Sequence, residues 1–113
     1  MNIVAISGNL GRDPELRFTN DGKAVCEFGI AHNEAYGSGD NRQDTVHWVR
    51  IVAFGKTAQL VAEHKHQGDE VFVEGSLAYS EWADADGNRR TALKVRADKV
   101  QFGHRRSTSD AAA

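Results

Sequence analysis

The stretch HWVRIVAFG, from His47 to Gly55, alternates like a β-strand but carries large side chains on both of its faces. One face of a strand usually packs into a core while the other meets water, and its first row fits a core. That row is Val49, Ile51 and Ala53. The opposite row is Trp48, Arg50, Val52 and Phe54, so it puts an indole, a guanidinium and a phenyl ring on one side. Because soluble proteins rarely expose clustered large apolar groups without a use, this second row needs a functional or structural explanation.

The composition indicates one folded domain with no general attraction to polyanions. The chain has 113 residues, of which 40% are hydrophobic and 27% charged, so it is long enough for a single core. Its formal net charge is -2, so binding of a polyanion requires Lys and Arg gathered on one face, or the patches of several subunits combined. Cys26 is the only cysteine, which excludes an intramolecular disulfide and agrees with a reducing cytoplasm. No signal peptide and no apolar run of ~20 residues is present, so we expect a cytoplasmic protein without membrane contact.

The segments on either side of this strand show the alternation of short strands, with one change of period. Gly8, Gly11 and Pro14 interrupt the first predicted strand, as at the corner of a small barrel. After Gly55 the apolar spacing becomes helical, with Thr57 as the predicted helix cap and Gly68 as its end. The predicted strands cover residues 2–18, 24–36, 45–55, 69–82 and 91–102, and the predicted helix covers residues 56–68.

This order of elements predicts an all-β OB-fold, a five-stranded Greek-key barrel with one helix between strands 3 and 4. The predicted domain covers residues 1–102, and residues 103–113 form a short disordered polar tail. Alternation places Trp82 in the register opposite to the inward residues of the fourth strand. The predicted inward residues of the second and fourth strands are Cys26, Phe28, Ile30, Val71, Val73, Leu77 and Tyr79.

The sequence gives no pattern that is typical of an enzyme or of a metal site. The run Gly55-Lys56-Thr57 resembles the end of a phosphate-binding P-loop, but Arg50 occupies the position of its first glycine and the intervening residues form a strand. The five histidines have no carboxylate or thiol partners at a known metal-ligand spacing. We therefore expect a protein that is not an enzyme and needs no metal or cofactor.

Rings that face outward next to cations suit unpaired nucleic acid. Every base has a π-face, and stacking on an aromatic ring is worth ~1–3 kcal/mol per base whatever the sequence. A guanidinium such as that of Arg50 pairs with phosphate or stacks on a base. From the pattern alone, two other interpretations stay open, namely that the rings form a second small core or that they form a subunit interface.

Several segments together resemble the bacterial single-stranded DNA-binding protein family. They are VAISGNLGRDPELRFTNDGKAV, the residues from His47 to Lys56, and VFVEGSLAYSEWADADGNRR. The matches continue in order up to about Phe102 with the spacing of the family. The resemblance implies an OB-fold protein, usually a homotetramer, that binds and protects single-stranded DNA in replication, repair and recombination at the nucleoid.

The resemblance also implies which residues contact DNA. The family's base-stacking positions fall on Tyr36, Trp48, Phe54 and Trp82, and Tyr36 stands where the family commonly has Trp. Basic positions near the DNA path match Arg50 and Lys56, and three further residues lie in segments that resemble DNA-contacting ones: Arg12, Arg17 and Phe18. The chain departs from the family before Trp82, where Ala78, Ser80 and Glu81 replace residues that are often basic, and at Val49, which replaces a histidine often found at the subunit contact.

The end of the chain differs from the family's long tail with its acidic, hydrophobic tip. After Phe102 the only carboxylate side chain is that of Asp110, against Arg105 and Arg106. We therefore expect no recruitment of replication or repair partners through the tail. Two alternative functions stay open: an accessory primosomal OB-fold protein, and an OB-fold module that binds RNA or oligosaccharide.

Overall fold

The computed structural model describes residues 1–103 of the chain as a single sheet of six strands with one α-helix. The strands are β1 Val4–Leu10, β2 Glu15–Phe18, β3 Ala24–Tyr36, β4 Gln43–Phe54, β5 Glu70–Ala83 and β6 Arg89–Phe102. The helix α1 covers Gly55–His64, and a short 3-10 helix at Gly39–Asn41 joins β3 to β4. The predicted polar tail covers residues 103–113; Gly103 is described, and residues 104–113 lie outside the described residues.

The first predicted strand is divided into β1 and β2 at the position where glycine and proline interrupt its sequence. β1 pairs with β5 along most of its length, and its last residue, Leu10, lies opposite Ile30 of β3. Pro14 has no amide hydrogen for a ladder, and it separates β1 from β2, which pairs with β3 alone. This break lets the chain turn the corner of a barrel.

Two further pairings close the sheet into a barrel. β1 contacts β3, and the parallel pairing of Ile51 and Val52 in β4 with Val95 and Arg96 in β6 joins the two hairpins. The closed circuit therefore runs β1-β5-β6-β4-β3 and back to β1. When β1 and β2 are counted as one strand, the helix falls between the third and fourth strands, so the predicted OB-fold is confirmed.

The helix is shorter than predicted, and its ends differ from those expected. Gly55 has a φ of +62°, which lets the chain turn sharply from β4 into α1, so Phe54 is the N-cap and Thr57 already lies inside the helix. The helix ends at His64 with Lys65 as its C-cap, and Gly68 instead donates its N–H to the carbonyl of Leu10. Within residues 1–103, no helix is long and apolar enough to span a bilayer.

The core lies inside the barrel and beneath α1, and it includes most of the predicted inward residues. Its fully buried members include Cys26, Ile30, Ile51, Ala53, Ala58, Val61, Val71 and Val73. The prediction is wrong for Leu77 and Tyr79, which are 48% and 62% exposed. Alternation does place them on the inward side of β5, but there the β5–β6 hairpin has extended beyond the barrel and nothing covers it within the described residues. Leu93, opposite Tyr79 on β6, is exposed for the same reason.

Candidate nucleic-acid interface

The two rows of side chains on β4 separate as the alternation of HWVRIVAFG predicts. Ile51 and Ala53 are fully buried, and Val49 packs against the core. Trp48, in the opposite row, is 68% exposed. Two outward side chains of β4 lie beside β3 residues with small or no side chains, because Trp48 is paired with Ala31 and Arg50 with Gly29. Trp48 and Arg50 therefore lie exposed on the barrel surface, whereas Phe54 is half-buried and Val52 is only 9% exposed.

The outward side of β4 continues across β6 to β5. Val52 of β4 pairs with Arg96 of β6, and the antiparallel β5–β6 ladder pairs Lys94 with Ala78 and Arg90 with Trp82. Because alternate residues share a face, Trp82 lies on the same side of the sheet as Lys94 and Arg96. We call this side of β3, β4, β5 and β6 the outer face; it carries Trp48, Arg50, Phe54, Trp82, Lys94 and Arg96.

The indole of Trp48 rests on the backbone of Gly11. A Cβ atom at Gly11 would lie 2.6 Å from the Cζ3 atom of Trp48. Gly11 is itself fixed, because its N–H donates to the carbonyl of Gly29 at 3.0 Å. The backbone in the corner between β1 and β2 therefore packs against one side of the ring and leaves most of the ring exposed.

A cleft of about 420 Å³ opens beside this ring. Two glycines form part of its wall, and both positively and negatively charged residues line it. The lining residues are Gly11, Arg12, Glu15, Glu27, Phe28, Gly29, Trp48 and Arg50. A ring next to guanidinium groups at an open cleft can stack one planar group while it pairs with an anion attached to that group.

Three of the predicted basic residues are available to bind anions. Arg12 lies in the cleft, Arg50 lies next to Trp48 on β4, and Lys56 is the second residue of α1. All three residues are exposed. In the part of the chain that the structure describes, none of them forms an ion pair with a carboxylate.

Three other predicted DNA-binding residues do not line the cleft beside Trp48: Arg17, Phe18 and Tyr36. Arg17 is bound to a carboxylate, with its Nη2 atom 3.0 Å from Oε1 of Glu27. Phe18 is 59% exposed but, by alternation, faces the opposite side of β2 from Arg17. Tyr36 is the last residue of β3 and faces the same side as Glu34, whose hydrogen bond to the hydroxyl raises the pKa of Tyr36.

Sequence reasoning did not identify three charged residues that contact this surface. The Nζ atom of Lys23 lies 5.0 Å from the centre of the Phe54 ring, a cation–π contact. The Nζ atom of Lys94 lies 3.5 Å from Oε1 of Glu27, and the same oxygen is the partner of Arg17. Alternation could have placed Glu27 and Lys94 on outward sides of their strands, but their contact depends on the strand order, which the sequence pattern does not state.

The described residues contain no cluster of three or more His, Cys, Asp or Glu side chains that could hold a metal ion. Cys26 is fully buried in the core. Burial, followed by the negative charges of Glu15 and Glu27, raises the pKa of its thiol to about 11. A thiol with that pKa is protonated at neutral pH, so Cys26 acts as a small core residue.

A closed OB barrel with uncovered rings and unpaired cations on one face belongs to a class of barrels that bind oligomers along the strands. Comparison with known proteins gives the family. The profile of the single-strand binding protein family matches residues 1–103, and the chain belongs to that family.

Two bacterial relatives and one solved structure are similar to the chain. A single-stranded DNA-binding protein of Fusobacterium nucleatum is 37% identical over 110 residues, which cover 96% of this chain and 71% of the relative. Single-stranded DNA-binding protein 1 of Xylella fastidiosa is 32% identical over 104 residues, which cover 90% and 76%. The structure of a Plasmodium falciparum SSB complex with ssDNA superposes with a TM-score of 0.84 at 22% identity, covering 91% of this chain and 95% of the other. That likeness supports the OB-fold.

Proposed function

We propose that the outer face binds single-stranded DNA without reading its sequence. Bases stack on Trp48, Phe54 and Trp82, and phosphates pair with Arg12, Arg50 and Lys56. The observation that carries the proposal is the indole of Trp48, which is held on Gly11 and 68% exposed at a cleft that also holds two guanidinium groups. Stacking requires unpaired bases, so a duplex does not satisfy this surface.

Exposure favours this function over the interpretation that the rings form a second small core. A core ring is covered on both sides, whereas Trp48 is seated on one side only and Trp82 is 48% exposed. A subunit interface could still cover exposed rings. However, the unpaired cations beside Trp48 fit a phosphate backbone better than an apolar contact between copies.

The wider role in the proposal is protection of single strands during replication, repair or recombination, in the cytoplasm at the nucleoid. Tyr36 and Phe18 then contact parts of the strand beyond the cleft, whereas Arg17, which is bound to Glu27, does so only when it is released from that carboxylate. The proposal assigns no catalytic step to the chain, because base stacking and phosphate pairing form and break no covalent bond.

The proposal includes assembly into a homotetramer. Leu77, Tyr79 and Leu93 form an exposed apolar row on the inward side of the β5–β6 hairpin, where the barrel does not cover them. A second copy can bury such a row, and most soluble homo-oligomers have closed symmetry. Combining the outer faces of several copies also lengthens the DNA path of a chain with a net charge of -2.

Single alanine substitutions of the rings test the proposal. Trp48→Ala, Phe54→Ala and Trp82→Ala are each expected to weaken binding of a dT oligonucleotide by ~1–3 kcal/mol, the value of one stacked base. Binding is measured by fluorescence anisotropy of the labelled oligonucleotide, and Tm is measured for each variant. The matched control is Phe72→Ala, which removes an exposed ring from the same side of β5 as Trp82 but from the opposite end of the strand.

The control is expected to bind normally. If the ring variants unfold while their folded fraction binds like the unaltered chain, the rings belong to a core and the proposed surface is wrong. Equal losses for Phe72→Ala and Trp48→Ala would show that the part of the outer face around Trp48 has no special role.

A further inference from the structure

Two carboxylates stand in the part of the outer face where the proposed function places phosphates. Glu15 of β2 and Glu27 of β3 are directly opposite each other in the antiparallel ladder, and both line the cleft beside Trp48. Like charges directly opposite across a strand pair destabilise the pair. Carboxylates also repel a phosphate backbone. Neither the pairing of these two carboxylates with each other nor attraction to DNA therefore explains their place in the cleft.

Glu27 is held between two cations that come from different strands. Its Oε1 atom accepts a hydrogen bond from Nη2 of Arg17 at 3.0 Å and lies 3.5 Å from Nζ of Lys94. Arg17 belongs to the edge strand β2, and Lys94 belongs to β6 on the other side of β4. One carboxylate oxygen therefore connects cations from both sides of the strand that carries Trp48 and Arg50.

The charge on Glu27 persists at neutral pH. Burial alone would raise the pKa of Glu27, but the hydrogen bond from Arg17 and the charges of Lys94 and Arg17 outweigh burial and lower it. The side chains of Glu27 and Lys94 are each only 25% exposed, so water screens their contact less than that of a fully exposed pair. Arg17 and Lys94 consequently face solvent as partly neutralised cations, unlike Arg12 and Arg50.

We propose that Glu27 is an internal competitor of the DNA backbone: it occupies Arg17 and Lys94 and so limits how tightly the outer face binds a single strand. This inference rests on the proposed function of the outer face. Single-stranded DNA then binds at Trp48, Arg12 and Arg50, whereas Arg17 and Lys94 contribute little to its affinity until Glu27 releases them. Glu27 thereby sets both the affinity and its dependence on salt.

The test compares the unaltered chain with Glu27→Gln, which keeps the shape of the side chain and removes its charge. Binding of a dT oligonucleotide is measured at several salt concentrations. Glu27→Gln is expected to bind about 2- to 5-fold more tightly at low salt, the range in which exposed ion pairs affect equilibria. Two released cations also steepen the slope of log K against log salt by up to about 1.4, because each single-strand phosphate contact adds about 0.7.

A double-mutant cycle separates release of cations from a general change in charge. Arg17→Gln is expected to cost little affinity in the unaltered chain and clearly more in the Glu27→Gln background, because only there is Arg17 free to reach phosphate. Glu63→Gln is the matched control: it makes the same change in charge on the exposed side of α1. It is expected to leave the salt slope unchanged.

Glu27→Thr, which suits a strand, is measured in parallel, and Tm confirms that both variants are folded. Weaker or unchanged binding by the folded neutral variants overturns the role of Glu27, as does a cycle in which the two substitutions are additive. If the unaltered chain itself fails to bind the oligonucleotide at low salt, the proposed function fails and this inference with it. Normal binding by the unaltered chain and no gain in the variants overturns the inference alone.

Discussion

At the scale of single residues, the outer face depends on Gly11, which has no side chain beneath the ring of Trp48. Gly11 lets the ring of Trp48 lie directly on the backbone, and a Cβ atom there would overlap the indole at 2.6 Å. Gly29 faces the same cleft, but a Cβ atom there would meet its nearest neighbour, the carbonyl of Val49, at 3.9 Å. An added methyl group would therefore clash with Trp48 at Gly11 but would fit at Gly29.

We predict that Gly11→Ala displaces the ring of Trp48 and weakens DNA binding with little change in stability. The loss of binding free energy is expected to reach that of one stacked base, ~1–3 kcal/mol. The added methyl group displaces the ring but does not change the backbone conformation. Titration with a dT oligonucleotide measures the loss, and Gly29→Ala is the control with a smaller effect. Equal effects of the two substitutions would contradict the seating of Trp48 on Gly11.

Cys26 gives a second prediction at this scale. Its thiol is fully buried, and burial together with the charges of Glu15 and Glu27 raises its pKa to about 11. Because the thiolate is the reactive form, we expect iodoacetamide to leave native protein unmodified at pH 8 and to modify Cys26 after unfolding in urea. Mass spectrometry gives the modified fraction, and rapid modification of native protein would show that the thiol is accessible.

The lowered pKa of Glu27 predicts how its ion pairs depend on pH. A carboxyl group whose pKa is lower in the folded state contributes stability above its unfolded pKa, and that contribution is lost as pH falls through the folded pKa. Glu27→Gln is therefore expected to lower the unfolding free energy by up to about 1 kcal/mol at pH 7. The difference closes below pH ~4, near the ordinary pKa of Glu. Urea unfolding at both pH values measures it, and a difference that grows in acid would contradict the assignment.

At the scale of elements, the β5–β6 hairpin is shaped by a register shift beside Gly75. A Cβ atom at Gly75 would lie 1.8 Å from the carbonyl oxygen of Arg96. The two strands therefore approach each other there more closely than any side chain permits. This close approach lies between the buried part of β5 and the extended part that carries Trp82.

We predict that Gly75→Ala destabilises the whole barrel, since β5 also pairs with β1 and supplies Val71 and Val73 to the core. The expected loss in unfolding free energy is roughly 1–3 kcal/mol, as for other overpacked positions. Urea denaturation measures it, with Gly29→Ala as a strand glycine that has room for a methyl group. Unchanged stability would mean that the strands can separate locally without cost.

At the scale of the whole molecule, the sequence predicted the features that depend on alternation within one strand or on the order of the elements. Alternation separated Ile51 from Trp48, and the order of elements gave the OB-fold. Alternation could not show that Leu77 and Tyr79 extend beyond the barrel, because the length of a hairpin relative to its barrel depends on the other strands. It could not show that Arg17 is held by Glu27, since that contact depends on the pairing of β2 with β3.

The exposed apolar row on β5 and β6 predicts that the chain assembles. We expect a homotetramer by light scattering at micromolar concentration, because Leu77, Tyr79 and Leu93 remain uncovered on the single barrel. A stable monomer at that concentration would contradict the proposed assembly and leave the row to another partner.

The most direct test of the account is one competition between single-stranded and duplex DNA of the same sequence. Trp48 and Trp82 are exposed, so their fluorescence reports contact with bases. The account predicts strong quenching and tight binding with the single strand, weaker binding as salt rises, and far weaker binding of the duplex, whose bases are already stacked. Equal affinity for the two forms would contradict the claim that the outer face binds unpaired bases.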